Sequence, residues 1–292
     1  MSKLAPPKPK KPAPPPLKPS AKKPAKQFTI AAWDGINNGE KIILYGLTGK
    51  GKTSLCRLLP NAVFIGVDPG GSKVRKLDGS LLDFVPGIEC FEDMRAALHS
   101  NVFDSCDNIV VETITDVEQW GLKHTLDTVP KPKSQGGSKA IHVHDYGYHK
   151  GFTHWMNTML LLLPDFDRWI HRGKNVILTA QEATIKWKTS GVEDFLMAGP
   201  ELHHSTTAST LLAYLRWADH VFRIDYANIP VEDGRAQPVN ERAIFVKGDA
   251  TFFAKSRGDR ISEEYDSVEF KNPDDDSIWR LLFNENNSIN TK

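Results

Sequence analysis

The sequence predicts an α/β protein in which a mostly parallel sheet is flanked by helices. Short apolar runs recur between helical patterns from residue 28 to about residue 260, the signature of strands covered by helices. A glycine-rich segment joins the first run to the first helical pattern. With 40% apolar and 25% charged residues over a length of 292, the chain has globular composition and enough material for a sizeable core.

Residues 1–27 hold eight Lys and nine Pro and no acid, and their only large apolar side chains are two Leu and one Met. Such a segment cannot offset the entropy of ordering, so a disordered tail with polyproline II character is expected. A tether for nucleic-acid phosphate and a plain solubilising linker both fit its charge. The whole chain carries a net +1, but the remainder, with 29 basic and 36 acidic residues, is at −7.

The runs Ile42–Tyr45, Ala62–Ile65, Ile109–Val111 and Val176–Leu178 read as buried central strands, and His220–Ile224, Ala243–Val246 and Thr251–Phe253 as later strands toward one edge. Phe152, Trp155, Met156, Met159, Leu160 and Leu163 recur at i, i+3, i+4, i+7, i+8 and i+11, which predicts one helix with a core-facing stripe. Residues 261–292 contain eight acids against three bases and are expected as a peripheral acidic tail in which only Ser277–Phe283 could form a short apolar-faced helix, docking back on the domain or binding a partner. The expected organisation is a tail over 1–27, one domain over 28–260 and a tail over 261–292.

Chemistry enters with residues 46–53. Gly46, Leu47, Thr48, Gly49, Lys50, Gly51, Lys52 and Thr53 match G-x-x-x-x-G-K-[ST] in full, directly after an expected strand and before a helical segment that opens with Ser54. Glycines let backbone N–H groups turn inward around phosphates, and a following helix would add its positive end. Lys52 is then placed to meet the β- and γ-phosphates of ATP, and the Thr53 hydroxyl to meet Mg2+. A second metal-shell oxygen is expected at the end of a neighbouring strand, where Glu112 follows Asn108–Val111. Asp68, which ends Phe64–Val67, either polarises the attacking water or caps a turn. Gln181, after the strand Asn175–Ala180, offers an amide that senses the γ-phosphate.

In order, these features resemble the RecA-like P-loop ATPase core, and most closely the phage-encoded RecA-like ATP-binding proteins that include the Sak-type single-strand annealing proteins. The resemblance covers about residues 38–260. It implies that Gly46–Thr53 is the Walker A motif, that Glu112 stands at the Walker B position where Asp is more usual, and that Asp68 is the catalytic acid after the second core strand. It further implies that Gln181 begins a DNA-binding loop. Lys255 and Arg257 resemble a K-x-R pair whose cations reach the nucleotide of an adjacent subunit, so a homo-oligomer is implied. Independently, two cations at i and i+2 of an extended segment share a side and could neutralise a transferring phosphoryl group, or simply protect an edge.

Single-stranded DNA is the expected partner. Lys186, Trp187 and Lys188 form a cation–aromatic–cation unit, and residues 130–150 interleave Lys131, Lys133, Lys139 and Lys150 with Tyr146 and Tyr148. His142, His144, Asp145 and His149 crowd the same stretch, but their spacing fits no structural zinc site. Three cysteines argue against a disulfide framework, and the longest apolar stretch, Met159–Leu163, is far short of the roughly 18 residues of a membrane span. A cytoplasmic protein without a membrane role is expected. An ATPase acting on single-stranded DNA in phage recombination, annealing or replication is the leading expectation. The alternative is a nucleotide-gated oligomeric scaffold with little hydrolysis and no DNA role, while a small-molecule kinase would need an arginine-rich lid.

Overall fold

The computed structural model describes residues 38–283, apart from 68, 188–193, 228–230, 233–234, 237–240, 259–260, 262–264 and 271. The expected tail over 1–27, Asp68 and Lys188 therefore lie outside the described residues. The elements are β1 (Lys41–Gly46), α1 (Lys52–Cys56), β2 (Ala62–Gly66), β3 (Asp83–Phe84), α2 (Phe91–His99), β4 (Asn108–Glu112), α3 (Ile114–Thr128), α4 (Lys150–Leu160), α5 (Leu162–Ile170), β5 (Asn175–Trp187), β6 (Phe195–Pro200), α6 (Thr210–Trp217), β7 (His220–Tyr226), β8 (Val231–Glu232), β9 (Arg235–Ala236), β10 (Arg242–Phe245), β11 (Ser267–Phe270) and α7 (Ser277–Phe283).

One sheet runs in the order β11-β10-β7-β1-β5-β4-β2-β3, with β6 added to β5; β8 and β9 pair separately. The strands from β7 to β3 along this order are parallel, and β10 and β11 are antiparallel additions at one edge. This is the mostly parallel α/β architecture that the sequence predicts. Because successive side chains on a strand alternate faces, the sheet divides the core in two. Ile43 and Tyr45 of β1 join a cluster with residues of α2 to α6, whereas Ile42 and Leu44 join Leu55 of α1 and Ile278, Trp279 and Leu282 of α7. The central strands are buried on both faces, which explains their near-continuous apolar runs.

Four local outcomes differ from the sequence expectation. The stripe from Phe152 to Leu163 is split into α4 and α5 at Leu161, because Pro164 lacks the N–H that would bond Leu160 four residues back. Asp145-Tyr146-Gly147, which reads as a helix start in the sequence, is instead a 3-10 turn over Val143–Tyr146 ended by Gly147, and α4 begins at Lys150. Thr251–Phe253 makes only an isolated bridge, Ala198 to Phe252, rather than a strand. Within the expected acidic tail, β11 pairs with β10 and α7 packs into the core: Ile278, Trp279 and Leu282 are buried, and the Trp279 indole donates to Leu55 O at 2.9 Å. Strand β11 was not expected there, whereas the apolar-faced helix lies where the sequence placed it.

A buried carboxyl ties the helical layer together. Glu118 of α3 is 3% exposed and accepts the His203 N–H at 2.9 and 3.0 Å, holding the turn between β6 and α6. Burial pushes its pKa from 4.5 up to about 7, against the opposing effect of that hydrogen bond.

Two outcomes follow from this packing. Trp279→Ala should lower stability by about 3–5 kcal/mol in urea unfolding, since it empties a filled core position beside α1; a loss below about 1 kcal/mol would mean that α7 is a loose appendage. For Glu118, a folded pKa above the unfolded one makes its contribution greatest below about pH 4.5 and progressively lost as pH rises to about 7. Glu118→Gln should therefore flatten the stability profile between pH 5 and 8 by on the order of 2 kcal/mol relative to the native protein.

Candidate nucleotide site

The site forms where β1 ends. A Cβ at Gly46 would lie 2.4 Å from the Ile224 carbonyl oxygen of β7, so glycine is required for the loop to leave the sheet this close to its neighbour. Gly49 and Gly51 have φ of 82° and 103°, the left-handed region that glycine enters without strain. Residues 47–49 stand exposed at the crown of the loop, while Lys52 folds back beneath it and is only 5% exposed.

A buried ammonium needs oxygen partners, and Lys52 Nζ donates to Gly46 O at 2.7 Å, Leu47 O at 3.3 Å and Gln181 Oε1 at 3.0 Å. Gln181 Oε1 also accepts the Thr48 hydroxyl at 3.2 Å. One side chain from β5 thus touches both the crown and the base of the loop. Its backbone is fixed as well: the Gln181 N–H donates to Thr115 Oγ1 at 3.1 Å, and that hydroxyl donates to Glu201 O at 3.0 Å.

The neighbouring strand supplies the acid. Glu112 ends β4 at 4% exposure, and the Thr53 hydroxyl donates to its Oε1 at 2.8 Å. Thr113 follows immediately as N-cap of α3, accepting the Asp116 N–H; the Glu112–Thr113 peptide is cis. Gly66 of β2 pairs with Glu112, and the Val67 N–H donates to Glu112 O at 2.7 Å. A largely apolar cavity of about 240 Å3, walled by Phe64, Leu81, Leu82 and Phe84, opens beside Glu112.

These residues suit a magnesium nucleotide. A hydroxyl and a carboxylate oxygen in contact form the oxygen-only donor pair that Mg2+ takes, and the glycine loop with Lys52 beneath it is shaped for phosphate. The helix contributes less than the motif implies. Helix α1 has five residues, so what it offers is the N–H groups of one short turn rather than a long dipole.

Sequence reasoning missed a set of charges around the loop. Lys50 Nζ pairs with Asp225 Oδ1 at 2.6 Å and lies 3.3 Å from the centre of the Tyr226 ring. Arg223 pairs with Asp225 Oδ2 at 2.6 Å and with both oxygens of Glu182 at 2.8 and 3.0 Å, and Arg242 donates to Lys50 O at 2.7 Å. Burial alone would raise the Asp225 carboxyl, but Lys50 and Arg223 pull it below its ordinary value. The signal in the sequence was Arg223 and Asp225 alternating with Phe222 and Ile224 on an otherwise apolar strand.

The remaining expected site residues lie apart from this cluster. Lys255 is bridged to Val221 near the start of β7, and Arg257 pairs with Asp219 at 3.3 Å, at the opposite end of β7 from the loop. Burial, then the charge of Arg257, lowers the Lys255 pKa. Beyond Gln181 there is a β-hairpin rather than a loop: β5 continues to Trp187 and turns antiparallel with β6, pairing Glu182 with Pro200 and Trp187 with Phe195. Lys186 pairs with Asp194 at 2.9 Å, and Trp187 stacks on His204 with centroids 5.8 Å apart. In the 130–150 segment, His144 and His149 pack on Phe152, Tyr146 is buried, and Tyr148 is 98% exposed.

The AAA domain family model matches residues 38–258. No curated protein matches the chain. Among solved structures, the flagellar accessory protein FlaH from Methanocaldococcus jannaschii aligns at 11% identity over 80% of this chain and 86% of its own, with a TM-score of 0.38. The RadB recombinase aligns at 13% identity over 72% and 81%, with a TM-score of 0.36. With the family model spanning β1 to β10, the phosphate loop and the acid-ended β4 among them, the chain belongs to the AAA domain family, whose P-loop implies nucleotide binding.

Proposed function

We propose that this protein is a magnesium-dependent ATPase that acts on single-stranded DNA, in recombination, annealing or replication of the phage type. The observation that carries the ATPase reading is the convergence of Lys52 and Thr53 at the start of α1 with Glu112 of β4 and Gln181 of β5, each within 3.0 Å of a partner in the set. Bound Mg-ATP would supply the γ-phosphoryl group that water attacks. Lys52 would exchange its carbonyl and amide partners for phosphate oxygens and neutralise charge there. Thr53 and Glu112 would hold the metal shell, and Glu112 or Asp68 would orient the attacking water. Gln181, released from Lys52, would turn its amide toward the γ-phosphate and report its presence to the β5–β6 hairpin.

Support for DNA is the position of Lys186 and Trp187 on that hairpin, continuous in one strand with Gln181. The Lys186–Asp194 pair is exposed and gives up little when a backbone phosphate replaces the carboxylate. Tyr148 supplies an exposed ring near Lys150 on a different segment. The K-x-R pair supports a homo-oligomer. Val221, to which Lys255 is bridged, lies opposite Ile43, three residues before Gly46 and so about 10 Å from the loop along the strand. These cations would serve a neighbouring subunit's nucleotide rather than the chain's own.

ATP turnover at low salt, with and without single-stranded DNA, tests the reading, with Lys52→Ala as the blank. Turnover should rise at least several-fold with DNA, and Lys186→Ala/Trp187→Ala should remove the stimulation while keeping the basal rate. Tight binding without turnover would point to the nucleotide-gated scaffold, and an unchanged rate in Lys52→Ala would refute the site. Arg257→Ala should retain nucleotide affinity and lose at least tenfold in turnover; full hydrolysis by a strictly monomeric Arg257→Ala protein would contradict action in trans.

A further inference from the structure

The charges missed by the motif form a continuous chain. Lys50 of the phosphate loop, Asp225 and Arg223 of β7, and Glu182 of β5 are joined by contacts of 2.6, 2.6, 2.8 and 3.0 Å, with side-chain exposures of only 10–16%. The chain crosses above the end of β1: Arg223 sits opposite Tyr45, and Glu182 follows the residue paired with Gly46. Each end is pinned separately. Arg242 and the Tyr226 ring hold Lys50, and Glu182 is the residue immediately after Gln181 in the register with β6.

We propose that Arg223 is a positioning residue that couples the phosphate loop to the base of the β5–β6 hairpin, so that a shift of Lys50 on nucleotide binding is felt at Glu182 and hence beside Gln181. The reason is electrostatic. Four charges this far from water cannot be moved singly, because displacing one leaves its partner buried and uncompensated. The guanidinium makes the chain directional, since its fork grips Glu182 in two places while sharing one nitrogen with Asp225. Gln181 reads phosphate through Lys52 and Thr48 on one side of β1. The Lys50 route reads the same loop from the other side, and both end on adjacent residues of β5.

This inference rests on the nucleotide-binding reading above, and a double-mutant cycle separates the two. Affinity for magnesium with ATPγS is measured for the native chain, Lys50→Met, Glu182→Gln and the double variant, with folding checked by circular dichroism. Lys50 and Glu182 are linked through Asp225 and Arg223, and an Arg223 variant shows whether non-additivity follows that path rather than the one through Gln181. Glu182→Gln should weaken affinity by roughly five- to tenfold in the native background and by less than about twofold when Lys50 is already Met. Arg223→Lys, which keeps the charge but loses the fork, should reduce the non-additivity without abolishing binding. Equal effects of Glu182→Gln in both backgrounds would overturn the coupling while leaving the nucleotide site intact. A native protein that does not bind the analogue would overturn both.

Discussion

The buried ammonium of Lys52 is the constraint on which the rest of the site depends. A cation that is 5% exposed is stable only where several oxygens converge on it. In this fold the Gly46 and Leu47 carbonyls turn back over it and Gln181 arrives from the adjacent parallel strand. That arrangement requires β1 to end next to β5, with glycine at the exit where β7 presses against the loop. Nucleotide phosphate would meet the same requirement better than neutral oxygens do, which is why a loop preformed around a lysine is also a loop poised to exchange its partners.

The support for that lysine reaches well beyond the motif. Helix α1 is too short to stand alone and is held by the C-terminal segment: Trp279 donates to Leu55 O, and Arg57 pairs with Asp274. On the other face, Thr113 caps α3 directly after Glu112, and Thr115 fixes the backbone of Gln181. Glu112 and Gln181 are therefore both anchored to α3, and the loop to the C-terminal segment on the other face. Movement at the loop has two exits toward the hairpin, one through Gln181 itself and one through Lys50, Asp225, Arg223 and Glu182.

What was legible in the sequence was local. The runs that became β1, β2, β4 and the first half of β5 are largely buried and so read as apolar blocks, and Gly46–Thr53, Glu112 and Gln181 stand out by short spacing and by following such runs. What was not legible depends on distant pairing. Strand β5 was not followed past Gln181 because its apolar run ends at Ala180, although the alternation of polar and apolar side chains over 182–187 is that of a half-buried strand, here paired with β6. Strand β11 was hidden in an acidic stretch from which only the apolar-faced helix α7 could be read. The break at Pro164 was present in the sequence but masked by a helical stripe that continues in period across it. The Lys50–Glu182 chain appears only once β5, β1 and β7 lie side by side in register. Asp68 and Lys188, both singled out by the sequence, fall outside the described residues.

The most direct test of the central claim is a crystal structure of the chain with magnesium and a non-hydrolysable ATP analogue. The account predicts the triphosphate within residues 46–53, with Lys52 Nζ moved from Gly46 O and Gln181 Oε1 to phosphate oxygens and the Thr53 hydroxyl turned from Glu112 to the metal. Analogue bound elsewhere, or bound in the loop with Lys52 still on Gly46 and Gln181, would contradict it.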